Sequence, residues 1–498
     1  MELKALATVR PHHGTPAVIT PGEKVCRDNE LYFFANELPE YLTGCDYLDS
    51  RSRDVTSVIV EQEGYVYILT PAEGFSKSQE KHFAEEGYTV IERYPVGMLV
   101  TGTKRDMVLL ENYVQPGQRI RGEAWTVLLT KVSEDYVPVV IDDRSLKAPE
   151  ILINPKDAQY QSGNQAWQGI PSIGRGANGR LWANWYGGST DENEYNWCTL
   201  FTSDDDGATW TGPKVVVQPR EEFVRAFDPN LWTDPKGRLW FIWNQSYFHF
   251  DGRAGVWAMY TEDPDSENPV WSEPRRLCDG IVMCDPVVLK NGDWLLPTAI
   301  WGWGICEETA RDRHSNAYIS RDEGATWQYA GSVQKIQGVA NCDENMIIEQ
   351  NDGSLRMLVR SSVGIEESFS FDGGFTWTDS VDTHITQVVS RFYITRLASG
   401  RQLLIFNDPA EGGNVRSHMT AALSEDDGVT WPYKLVLDER KEVSYPDALE
   451  ADGFIYAIYD RNRYKEQEIF MAKFTEEDIL AGKLVNELSR LQVLVDRK

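Results

Sequence analysis

The sequence predicts an all-β chain, with a six-bladed β-propeller over 161–498 preceded by a small N-terminal β-sandwich-like domain over 1–140. Two interleaved repeats and one contrast predict it. A turn-plus-strand unit recurs as "NGRLWANW", "KGRLWFIW", "NGDWLLPT", "DGSLRMLV", "SGRQLLIF" and "DGFIYAIY", with glycines at Gly179, Gly237, Gly292, Gly353, Gly400 and Gly453. A second motif, Ser-x-Asp-x-Gly-x-Thr-Trp, stands between them as "SDDDGATW", "SRDEGATW", "SFDGGFTW" and "SEDDGVTW". The first 140 residues carry no such box. A strand-rich repeat of about 50 residues is the signature of blades around an axis.

In chain order, "DVTSVIVEQEGYVYILTP" and "GMLVTGTKRDMVLL" read as strands of the N-terminal domain. The stretch "DDRSLKAPEILINPKDAQ" reads as part of a connection over 141–160. Each later turn–strand unit places a glycine where positive φ is cheap, ahead of an apolar strand. The boxes suit hairpin turns: Ser and Asp oxygens satisfy turn amides, Gly takes the left-handed position, and Trp packs between strands. "TEDPDSENPVW" from Thr261 fills the second blade as a degenerate copy. These turns are expected to be structural and to lie on the outer rim.

The start of each blade's innermost strand meets the axis of a propeller. Counting back from the turn glycines gives Gln168 beside Gly169, then Asp228, Asp285, Glu344, Arg391 and Tyr445. Polar side chains at five of six such places predict a polar site on the axis.

With those residues in view, the chain from about 160 onward resembles the sialidase (neuraminidase) superfamily, in particular bacterial proteins with BNR/Asp-box repeats. "ENMIIEQNDGSLRMLVR" runs from Glu344 to Arg360 with the family's Glu-to-Arg spacing. "NVRSHMTAALSEDDGVTW" sets Arg416 ahead of an Asp box, and "VSYPDALEADGFIYAIYD" sets Tyr445 at the position of the family's nucleophilic tyrosine. The resemblance implies a retaining exo-glycosidase for a terminal sialic acid or related acidic sugar, with Tyr445 as nucleophile and Glu344 as its base. It implies Arg360 and Arg416 as carboxylate clamps. The chemistry is coherent, because an anionic nucleophile would be repelled by a carboxylate on the anomeric carbon, whereas a tyrosine deprotonated during attack is not. Arginine forks match a planar carboxylate.

The family opens its propeller with Arg-Ile-Pro, and this chain has Gly169-Ile170-Pro171. A third clamp is expected from Arg225 or Arg391, or else the substrate is a different acidic sugar. Gln168, Asp228 and Asp285 are further substrate-binding candidates. The acid falls in "GGSTDENEYNW", where Asp191 and Glu192 fit the spacing better than Glu194. Two rival readings follow from Gly169: a propeller glycosidase or lyase on a non-sialic acidic sugar, and a carbohydrate-binding propeller without turnover.

The formal net charge of −28 excludes nucleic acid and anionic membranes as partners, and leaves a small acidic saccharide only where local arginines reverse the field. The seven cysteines are unpaired in spacing and the N-terminal segment lacks a continuous apolar core, so cytoplasm is the expected address. No zinc spacing, phosphate loop or dinucleotide fingerprint occurs, and no cofactor is implied.

Overall fold

The computed structural model describes every residue except 1, 12–13, 27–31, 50–56, 73–74, 76, 101–102, 122–125, 138–143, 189–190, 248–252, 302–314, 334–343, 386 and 410–414. The chain divides into two units, Met1–Asp142 and Asp143–Lys498.

In the first unit, strand alternation gives one sheet two buried faces. Gly64–Pro71, Thr103–Val114 and Val127–Leu129 belong to a seven-stranded sheet. Ile68, Val108, Leu110 and Leu128 pack with Val9, Val58 and Val60 of a four-stranded sheet, joined by Phe83 of the helix Lys77–Glu85. The alternate residues Tyr67, Leu69, Met107, Leu109 and Leu129 pack instead with Ile19, Phe34 and Leu42. The period of two thus builds a sandwich-like domain, with a second core behind the larger sheet.

The second unit is a six-bladed propeller of antiparallel sheets. Their first strands are Trp167–Arg175, Val224–Thr233, Val287–Val288, Asn345–Glu349, Tyr393–Arg396 and Val443–Ala451. The first strand of the first sheet lies against those of the second and sixth, so the ring closes between the two ends of the unit. Gln168 helps this closure: its Nε2 donates to the carbonyl of Gln467 at 2.8 Å and to Asp496 Oδ2 at 2.9 Å. Glu150–Ile153, in the stretch read as a connection, pairs with Thr211–Gln218 as an outer fifth strand of the first sheet. The reason is its Ile-Leu-Ile run, which covers an otherwise open edge. Residues 141–143 of that stretch lie outside the described residues.

Three first strands carry the same irregularity. The ladder register shifts between Gly169 and Ser172, between Phe227 and Asn230, and between Ser444 and Asp447. At each bulge one residue takes positive φ: Ile170 at 59°, Asp228 at 45° and Tyr445 at 54°. Each is followed by a proline, which has no N–H to give the ladder. Bulges re-aim side chains, and strained backbone of this kind concentrates at functional sites.

The Asp boxes close the turns between third and fourth strands and repeat one hydrogen-bond set. In the first box Gly207 N donates to Ser203 Oγ at 2.8 Å, and Thr209 donates to Asp205 through its amide at 2.8 Å and its hydroxyl at 2.6 Å. The Thr209 hydroxyl and then its amide hold the Asp205 carboxyl down at about 2, from 3.8. A depressed carboxyl contributes stability above its unfolded value that is lost as pH falls through the folded one. Asp205→Asn is therefore expected to lower the unfolding midpoint at neutral pH. The gap to wild type should narrow between 3.8 and about 2, as read by circular dichroism melts across pH.

Candidate active site

The axis end of the propeller gathers Tyr445, Glu344 and four arginines. Glu344 sits directly opposite Arg360 across the fourth sheet's first hairpin, where the Arg360 amide donates to the Glu344 carbonyl at 2.8 Å. Their side chains form a buried ion pair between Arg360 Nη1 and Glu344 Oε1. The same Nη1 donates to the Tyr445 hydroxyl at 3.3 Å. Glu344 Oε2 is buried and has no hydrogen-bond partner among the described residues. A buried carboxylate oxygen left open costs stability, and it is placed to accept a proton.

Four guanidinium groups approach Tyr445, among them Arg391 with its carbon 5.8 Å from the ring centroid. Arg360 touches its hydroxyl, the Arg416 carbon lies 5.1 Å from the ring centroid, and the Arg463 carbon lies 4.7 Å from it. Arg360 and Arg416 also share the Val389 carbonyl, at 3.3 and 3.1 Å. Burial pushes the Tyr445 hydroxyl above the ordinary tyrosine value and Glu344 pushes it further, while Arg360, Arg416 and Arg463 pull it down. The tyrosine is thus protonated at rest, with Glu344 and three guanidinium groups close by.

Arg463 was not legible in the sequence. It enters from the hairpin after Phe454–Arg461, in "RNRYKEQE", where it is one of three basic residues. Only the vacancy at Gly169 hints at it. Its Nη1 donates to Glu192 at 2.6 Å, and its Nε lies 3.6 Å from Asp460 Oδ2. Burial opposes its charge, and Asp460 and Glu192 outweigh that opposition.

The two arginines expected as a third clamp are engaged otherwise. Arg391 is buried, and its guanidinium donates to four carbonyls: Met283 at 2.9 Å, Pro171 at 3.1 Å, Tyr445 at 3.2 Å and Pro446 at 2.9 Å. Bulges free the Pro171, Tyr445 and Pro446 carbonyls from their ladders, and Met283 lies outside any strand, so Arg391 ties the backbone of three sheets together. Arg225 stacks on Phe227 with its guanidinium carbon 3.7 Å from the ring centroid, beside Asp228. Gln168 points to the sixth sheet, where it holds the closure of the ring. Asp285 is half-buried near Asp447 and Arg391; burial followed by the Asp447 charge raises its carboxyl, and Arg391 opposes them.

Asp228 does face the site. Burial pushes its carboxyl up to about 7; Arg225 pulls it down, and Glu192 and Glu344 push it up. On the first sheet's loop, Asp191 keeps an open side, yet burial raises its carboxyl, against the Glu192 amide that donates to it at 2.7 Å. Glu192 is ion-paired to Arg463, and Glu194 is buried. The loop therefore offers one carboxyl raised by burial, Asp191, and one ion-paired to Arg463, Glu192. Among the described residues, no group of three or more His, Cys, Asp or Glu is placed to hold a metal ion.

Residues 179–457 match the model of the BNR repeat-like domain. A sialidase from Paraclostridium sordellii is 23% identical over 262 residues, 46% of this chain, and the match spans 63% of that protein. Among solved structures, the leech intramolecular trans-sialidase aligns over 96% of this chain and 94% of its own, with 13% identity and a TM-score of 0.50. The NanB sialidase from Streptococcus pneumoniae aligns over 96% and 94%, with 12% identity and a TM-score of 0.48. The likeness to the leech protein is one of fold.

Because Arg391 satisfies four carbonyls, Arg391→Ala is expected to cost about 3 kcal/mol of stability, measured by urea unfolding. An arginine that only held a ligand would cost little in the free protein.

Proposed function

The chain belongs to the BNR repeat-like family, and from that premise we propose that it is a retaining exo-glycosidase of the sialidase type, acting on a terminal sialic acid or a related acidic sugar. The observation that carries the reading is the convergence of Glu344 and the Tyr445 hydroxyl on one Arg360 nitrogen, inside a ring of guanidinium groups. That combination suits attack by a neutral nucleophile beside a bound carboxylate. The sialidase relative from Paraclostridium sordellii supports the same substrate class.

In the first step the Tyr445 oxygen bonds to the anomeric carbon while its proton passes to Glu344. The bond to the leaving oxygen breaks, and Asp191 gives that oxygen its proton. Arg360 and Arg416 hold the sugar carboxylate, and Asp228 meets a ring hydroxyl. In the second step Asp191, now a carboxylate, takes a proton from water as its oxygen attacks the anomeric carbon. The tyrosine oxygen leaves and recovers its proton from Glu344. Two displacements at one carbon retain its configuration. A non-catalytic carbohydrate-binding propeller would have no use for the open Glu344 oxygen beside a tyrosine hydroxyl.

Tyr445→Phe should lower kcat on an aryl α-sialoside by at least about 10³-fold, and Glu344→Gln by about 10²–10⁴-fold. The rate of aryl-group release reads both, and near-wild-type turnover by Tyr445→Phe would sink the proposal. An acid with a raised pKa keeps its proton to higher pH, so activity should fall on the alkaline side as Asp191 ionises. Asp191→Asn should abolish that limb for a substrate with a good leaving group. A retained limb in the variant would assign the acid elsewhere.

A further inference from the structure

We infer that Arg463 is the third guanidinium of the carboxylate clamp, delivered by the sixth sheet into the volume that a side chain at position 169 would otherwise fill. The inference rests on the reading of the site as one that binds a sugar carboxylate, and it deepens that reading by naming the residue that makes it possible without an arginine at 169.

The packing carries the argument. A Cβ at Gly169 would lie 2.3 Å from Arg463 Cδ, 2.7 Å from Arg463 Cγ and 3.1 Å from Asp460 Oδ2. No side chain fits at 169 while Arg463 keeps its place, and no backbone strain explains the glycine, since its φ is not positive. Gly169 is therefore the half of an exchange that yields space, and Arg463 is the half that takes it. The backbone is tuned to the same arrangement, because the Ile170 amide donates to Asp460 Oδ2 at 2.8 Å, the carboxylate that also faces Arg463 Nε.

The guanidinium that arrives is directed. Glu192 and Asp460 hold two of its nitrogens, and its carbon lies 4.7 Å from the Tyr445 ring centroid and 5.9 Å from that of Trp167. Arg360 and Arg416 flank the same tyrosine. Three forks around one ring can meet a single planar carboxylate from three sides. Glu192 and Asp460 act as positioning residues, fixing the third fork and offsetting its charge in the empty site. Arg391 is committed to four carbonyls and Arg225 lies on the Phe227 face, whereas Arg463 stands at the Tyr445 ring beside Arg360 and Arg416.

The test compares an aryl α-sialoside with its methyl ester, which differs only in lacking the negative charge. Wild type should prefer the acid, and Arg463→Met, which keeps most of the side-chain volume, should reduce the acid-to-ester ratio of kcat/KM about 10- to 100-fold. Turnover of the ester itself should change far less. The paired variant Gly169→Arg with Arg463→Gly sends a guanidinium into the same volume from the first sheet and should restore most of the preference. It also decides the matter where Arg463→Met does not fold. An unchanged acid-to-ester ratio in Arg463→Met, with turnover intact, overturns the inference and leaves the glycosidase reading standing. Should wild type hydrolyse neither compound, sialic acid fails as the substrate, and calorimetric binding of free sialic acid against its methyl ester gives the same ratio. A wild type without preference for the acid then overturns the clamp as well.

Discussion

The site depends on the way Arg391 satisfies backbone that the ladders give up. Three first strands bulge, each with a proline after a residue at positive φ, and the bulges of the first and sixth sheets release carbonyls that Arg391 reaches. In a dry interior such carbonyls cost stability unless donors reach them. One guanidinium reaches four, from the first, third and sixth sheets' entry segments, including the carbonyl of Tyr445 itself. The tyrosine ring can stand away from its strand because its own backbone is held from beneath. Backbone satisfaction and placement of the Tyr445 side chain are thus one problem with one solution.

Above that tie, the charges nearly balance within a few residues. Arg360 is set against Glu344, and Arg463 against Glu192 and Asp460, in a protein whose formal net charge is −28. A long-range field of that sign repels an anion, so recognition has to come from short, desolvated contacts where local geometry outweighs the distant charge. Pairing also lets buried arginines exist before a ligand arrives, since an isolated buried charge is costly. Neighbours of nearly identical chemistry on one loop meet different surroundings: Glu192 pairs with Arg463, and burial raises the carboxyl of Asp191.

How much of this the sequence showed depends on what each residue's position is determined by. Blade number and phase were legible, because a glycine turn and an Asp box are local structures that carry their own hydrogen bonds. Glu344 and Arg360 were recognisable as a pair through the family resemblance, and a hairpin of fixed length sets them opposite each other. Tyr445 was legible for a similar reason, standing a fixed distance before its turn glycine. The division among the other arginines was not. Whether a guanidinium meets carbonyls, as Arg391 does, or an aromatic face, as Arg225 does, follows from where the bulges send neighbouring backbone. The carbonyls that Arg391 meets lie far away in sequence, and no local spacing encodes them. Gln168 and Asp285 met the same limit: their places near the axis were readable, and the direction of their side chains was not. Glu150–Ile153 was missed because four residues of an edge strand look like any short apolar stretch in a connection.

Gly169 shows the limit from the other side. Read as a letter in a motif, it is a loss, because a glycine has no charge with which to hold a carboxylate. Read as a volume, it is a condition, because the Arg463 stem passes through the space where a Cβ would stand. What a site requires is a guanidinium at a point in space, and a closed ring brings two strands to that point: the first sheet's inner strand and the hairpin of the sixth sheet. Either can supply the charge if the other gives way. A propeller closes by placing the ends of its unit side by side, so the seam between its first and last blades is where such an exchange needs the least rearrangement. The seam here is held by Gln168, Gln467, Asp460 and Arg463 together, so closure of the ring and composition of the site are decided by the same few side chains.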